Sequence, residues 1–142
     1  MIDVEVFGES LAPGAPSRIE VARLCALAAE ARDVGDGHVA IEFVASARIA
    51  ELNERHRGKA GPTDVLSFPI DGVAGLADGP ADPAGQPREL GDIVICPAHT
   101  VDLREAIVHG MLHLLGMDHE ADAGEMLALQ DELLKRPHPP ER

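Results

Sequence analysis

Three histidines near the C-terminus, His109, His113 and His119, are spaced H-x3-H-x5-H, the pattern of a zinc site. Each helical residue turns the side chain by about 100°, so positions four apart point only about 40° away from one another, and His109 and His113 can share one ion. Gly116 stands where a glycine lets the chain leave the helix in a left-handed conformation and bring His119 back toward the pair. Three imidazoles leave one tetrahedral position open to water or substrate, which separates a catalytic zinc from a structural one. The bland alternative is a pair of half-exposed helix histidines. The third histidine past a glycine argues against it.

The element that must carry this pair is legible from its apolar pattern. Leu103, Ala106, Ile107, Gly110, Met111, Leu114 and Leu115 fall at i, i+3, i+4, i+7, i+8, i+11 and i+12, a stripe that packs against a sheet. The histidines lie off the stripe, at the margin where a packed helix borders a cleft.

Upstream, Ile2 to Phe7 alternates apolar and acidic residues and reads as a half-exposed strand. Ser17, with Glu20 three residues on, opens a helix to about Arg32, and His38 to Val44 alternates again as a second strand. Ala47 to His56 reads as a short helix, Val65 to Phe68 as a strand ended by Pro69, and Leu90 to Cys96 as a fourth strand. Residues 71–87, rich in Gly, Pro, Ala and Asp without a period, are expected to form a mobile loop. A last helix is expected from about Glu120 through Leu134, then a disordered tail over 137–142 that includes His138.

At 142 residues, with no internal repeat, the chain is expected to fold as one domain, 1–142. No basic segment followed by an apolar run opens it, and no long uncharged apolar stretch occurs, so a cytoplasmic protein without membrane attachment is expected. Cys25 and Cys96 form no C-x-x-C pair and suit a reducing compartment. Cys25 reads as core. Cys96 reads as a buried strand-end thiol, with a fourth zinc ligand as the alternative.

Twelve basic against 25 acidic residues give a net charge of −13, which repels a polyanion unless a local basic surface intervenes. Arg55-His56-Arg57-Gly58-Lys59 is the densest basic cluster and leads into the turn-like Ala60-Gly61-Pro62-Thr63, where a phosphate could be met. On charge alone it also reads as a solvated helix C-terminus.

The run His109-Gly-Met-Leu-His113-Leu-Leu-Gly-Met-Asp118-His119 resembles the H-G-x-L-H-L-x-G-x-D-H signature of the YbeY family of bacterial zinc endoribonucleases. Leu52-Asn53, His56-Arg57-Gly58-Lys59, Thr63 to Pro69 and Leu90 to Cys96 resemble that family's other segments, in the same order. The resemblance covers most of the chain from residue 41 onward. It implies an α/β fold with a small mixed four-stranded sheet packed with helices, one zinc held by His109, His113 and His119, and a catalytic role for Arg57. It also implies single-stranded or ribosomal RNA, not DNA, as substrate, with maturation of the small-subunit ribosomal RNA 3′ end, ribosome quality control, and ribosomal proteins or assembly factors as partners. A guanidinium can hold a phosphate bidentately while zinc acts as a Lewis acid. Asp118 either orients a ligand histidine or caps the helix that follows, the cap being the preferred reading.

One departure stands out. Only 12 residues, Pro97 to Val108, separate Cys96 from His109, where the family has a longer helical stretch. With no Trp or Tyr, Phe68 is the one aromatic residue near the matched segments, so RNA contacts are expected to rest on phosphates and metal. Two rival readings remain. A zinc peptidase of the H-E-x-x-H type needs glutamate after the first histidine, where this chain has Gly110. A non-enzymatic ribosome assembly factor would hold a structural zinc with a fourth protein ligand such as Cys96.

Overall fold

The uninterrupted apolar run Ile93-Val94-Ile95 belongs to a strand covered on both faces, and the computed structural model, which describes residues 2–70, 89–118 and 122–136, places it inside the sheet. The strands are β1 (Ile2–Phe7), β2 (Gly37–Phe43), β3 (Val65–Pro69) and β4 (Glu89–Ile95), in the spatial order β1-β2-β4-β3. β1 and β4 run parallel to β2, while β3 pairs antiparallel with β4 at the opposite edge. The sheet is therefore mixed and four-stranded, as expected, and the fold is α/β. Residues 71–88, His119 to Ala121 and 137–142 lie outside the described residues, and with them the expected loop, the expected tail with His138, and the third histidine of the motif.

Parallel strands need crossover connections, and helices supply them. α1 (Arg18–Ala31) joins β1 to β2; it starts where Ser17 Oγ accepts a hydrogen bond from the Glu20 amide at 3.1 Å. α2 (Ser46–Arg57) follows β2, α3 (Leu103–Leu114) follows β4, and α4 (Glu125–Lys135) ends the described chain. The register sets Val39, Ile41 and Phe43 of β2 beside Gly91, Ile93 and Ile95 of β4, and all of these but the glycine join α1, α3 and α4 in the main core. Val94 and Cys96, pointing the other way, pack with Ile49 and Leu52 of α2 and with Leu66 of β3 in a second, smaller core.

α1 and α3 are also joined by charge. Glu20, buried on α1, pairs with Arg23 and with Arg104 of α3, the latter at 3.2 Å. Cys25 sits fully buried in the main core, where burial pushes its thiol pKa up to about 12, so it is an inert packing residue. No helix among the described residues is long and apolar enough to cross a membrane.

Candidate metal centre and phosphate cleft

α3 owes its placement to both of its ends and to one glycine. Asp102 caps the start, its Oδ1 accepting from the amides of Arg104 at 3.0 Å and Glu105 at 3.2 Å. Midway, a Cβ on Gly110 would stand 2.6 Å from Ile93 Cγ2, so the absent side chain lets the helix lie directly on β4. Ser67 Oγ of β3 donates to the Gly110 carbonyl at 3.1 Å and ties the edge strand to the same turn. At the far end Gly116 takes φ 93°, Met117 N–H donates to Leu112 O and Gly116 N–H to His113 O, both at 3.0 Å. This is a Schellman closure, and it turns the Met117 carbonyl back toward the helix.

That carbonyl has a second task. It lies 3.0 Å from His113 Nδ1, and because a carbonyl can only accept, Nδ1 carries the proton and Nε2 presents its lone pair. His109 Nδ1 lies 2.8 Å from Gln130 Oε1 of α4, which assigns the same tautomer to His109. The two Nε2 atoms then face each other at 3.1 Å, with the rings at 77°. Two neutral imidazoles so oriented have no proton to share between those nitrogens, and the arrangement is favourable when a cation lies between their lone pairs. Nitrogens bound to one tetrahedral zinc at about 2.0–2.1 Å are about 3.3 Å apart, so the pair fits that ion. Nδ1 partners of this kind are what orients ligand histidines and raises their basicity. Among the described residues no third His, Cys, Asp or Glu side chain completes a metal-binding group, and His119 lies outside them.

The opposite wall comes from the end of α2 and from β3. A cleft of about 1080 Å³ brings His56, Arg57, Asp64 and Phe68 to the same space as His109 and His113. The basic cluster divides at this point. Arg55 turns back to Glu51, four residues earlier, at 3.1 Å, and Arg48 reaches the same carboxylate at 3.0 Å. Arg57, exposed, has no carboxylate partner among the described residues and lines the cleft. The turn after α2 is held by Asn53, buried, whose Nδ2 donates to Gly61 O at 2.9 Å.

Some expected partners go elsewhere. Cys96 is fully buried beneath α2 in the second core, with Ser46 Oγ 3.8 Å from its sulfur, and it does not line the cleft. Asp118 lines the cleft, but α4 is capped by Asp122, whose carboxylate accepts from the amides of Gly124 at 2.8 Å and Met126 at 3.0 Å. The carboxylate of Asp122 thus meets amides at the start of α4. Gln130 was missed by the sequence reading. Its signal was a glutamine at the i+4 position between Met126 and Leu133, on the buried face of an amphipathic helix.

Comparison with known proteins identifies the family. The sequence profile of the family described as Endoribonuclease YbeY matches residues 18–138. Endoribonuclease YbeY of Acidothermus cellulolyticus is 46% identical over 111 residues, covering 68% of each chain, and that of Nocardioides sp. is 38% identical over 152 residues, covering 94% of this chain and 96% of its own. A solution structure of TM1509 from Thermotoga maritima is similar with a TM-score of 0.48 at 26% identity, covering 93% of this chain and 87% of that one. The chain belongs to the YbeY family of endoribonucleases.

Proposed function

We propose that the protein is a zinc-dependent endoribonuclease that cuts single-stranded RNA in the cytoplasm during ribosomal RNA maturation, at the 3′ end of the small-subunit RNA, and in ribosome quality control. The observation that carries the reading is the pair of Nε2 atoms facing at 3.1 Å, both Nδ1 atoms engaged, across one cleft from an arginine without a carboxylate partner among the described residues. His109, His113 and His119 would hold one zinc per chain. Zinc there supplies Lewis acidity toward a phosphoryl oxygen and toward water. Arg57 has the complementary task. Its planar fork holds two non-bridging phosphate oxygens and neutralises the charge that builds on them as the attacking oxygen arrives. Lysine, a single point charge, would do this less well.

Family membership supports an RNA substrate, and the basic end of α2 offers local attraction within a chain of net charge −13. The remaining acidic surface suits basic ribosomal proteins or assembly factors that deliver the RNA. The peptidase reading loses support because Gly110 packs against Ile93 in the core, so a glutamate at that position would not reach the cleft. The structural-zinc reading loses its fourth ligand with Cys96 under α2.

The test is Arg57→Ala. Zinc content should stay at one per chain by elemental analysis, while cleavage of single-stranded RNA falls by roughly two to three orders of magnitude, as for loss of a charge-stabilising donor. Loss of zinc together with activity would contradict the division of roles.

A further inference from the structure

Three aromatic residues, all phenylalanine, occur in the chain: Phe43 is buried in the main core, Phe7 ends β1, and Phe68 lies in the cleft. Phe68 is half-buried against the second core, and its ring and that of His56 form a T-shaped pair, centroids 4.9 Å apart and planes at 64°. His56 is exposed and lines the same cleft as Arg57 and the His109–His113 pair. A ring braced in this way is a rigid, solvent-facing flat surface next to a phosphate-binding guanidinium.

The strand beneath it adds a polar edge. Cys96 N–H donates to Asp64 O at 2.8 Å and Ile70 N–H to Leu90 O at 3.2 Å. Hydrogen-bonded pairs alternate in an antiparallel ladder, so the amides of Leu66 and Phe68 also face β4 while those of Val65 and Ser67 turn outward. The Val65 amide is taken by Asp64 Oδ1 at 2.8 Å, and Pro69 has no amide proton. The outward amide of Ser67 has no such partner among the described residues, and Ser67 lines the cleft beside a flat ring.

We propose that His56, braced by Phe68, is a stacking platform for one unpaired nucleobase of the RNA, whose edge meets the outward amide of Ser67 on β3. This rests on the ribonuclease reading and extends it: the cleft holds the nucleoside as well as the phosphate. Stacking on a ring demands a base splayed out of any helix, which gives a physical reason for acting on single strands. His56 is a binding residue for a base, and its ring face, not its charge, does the binding.

The distinction between face and charge makes the proposal testable with the full-length, zinc-loaded protein. A fluorescein-labelled RNA dodecamer, and versions carrying 2-aminopurine or an abasic ribose at successive positions, would be titrated with wild type, His56→Ala and His56→Phe. In the wild type, 2-aminopurine fluorescence should be quenched at one position near the cut, and an abasic ribose there should weaken binding about tenfold, the size of one base–aromatic stack. His56→Ala should lose both effects, and His56→Phe should restore both, since phenylalanine keeps the face and lacks the charge. Failure of His56→Phe to rescue, or equal binding of every abasic RNA by a wild type that still cleaves the dodecamer, would overturn the platform alone. A wild type that neither binds nor cleaves the dodecamer would overturn the ribonuclease reading and the platform with it.

Discussion

Gln130 and the Met117 carbonyl determine which nitrogen each histidine presents, and the proposed metal centre depends on both. Gln130 is buried on α4, and its Oε1, 2.8 Å from His109 Nδ1, leaves Nε2 to bind. Gln130→Ala should therefore lower zinc affinity about 10- to 100-fold with the fold retained, measured by competition with a chromophoric chelator. Unchanged affinity would mean that His109 orients itself without help. The histidine pair was visible in the sequence because spacing of four on a helix is a local property. Gln130 was not, because a lone glutamine in a helix reads as surface until the tertiary contact is known. Arg57 lay between: its charge was legible and the family resemblance singled it out, and the fold adds that Arg55 is taken up by Glu51.

At the scale of elements, α3 and its Schellman closure turn a sequence motif into a site. Gly116 adopts φ 93°, where a Cβ is strained, so Gly116→Ala should destabilise the protein by about 1 kcal/mol in thermal unfolding. It should also displace the Met117 carbonyl and weaken zinc binding. A stability loss with zinc affinity untouched would show that the closure serves folding alone. The strands tell a different story. His38 on β2 bridges Glu5 of β1 and Glu89 of β4, at 2.8 and 2.7 Å. Partial burial opposes its protonation, but hydrogen bonds and charge from Glu89 and Glu5 outweigh this and raise the pKa above the ordinary 6.5. A folded pKa raised above the unfolded one adds stability that is complete below about 6.5 and is lost as pH climbs through the folded value. Denaturant titrations should show stability falling from about pH 6.5 upward, with that slope absent in His38→Gln; equal slopes in both would exclude the bridge as its source. Periodicity placed the strands and helices to within a residue or two, since each buries a regular face. α4 was the exception: it begins at Glu125, not at about Glu120 as expected, because Asp122 and Gly124, at φ 103°, form a capping turn before it.

Across the whole molecule, the mixed sheet brings together two segments far apart in the chain, the end of α2 at Arg57 and the end of α3 at Leu114, on either side of edge strand β3. That juxtaposition was not readable from local pattern, because it depends on β3 turning back antiparallel against β4. It creates an imidazole-rich cleft, lined also by Arg57, Asp64 and Asp118, in a chain of net charge −13. In the proposed function this cleft cuts RNA with zinc held by histidine. The direct measurement is internal cleavage of a labelled single-stranded RNA by purified protein of known metal content, with His113→Ala prepared in parallel to expose contaminating nuclease. Cleavage by protein holding about one zinc per chain, lost with the zinc in His113→Ala, is the predicted result. Equal cleavage by both preparations, or none by zinc-loaded wild type, would contradict the account.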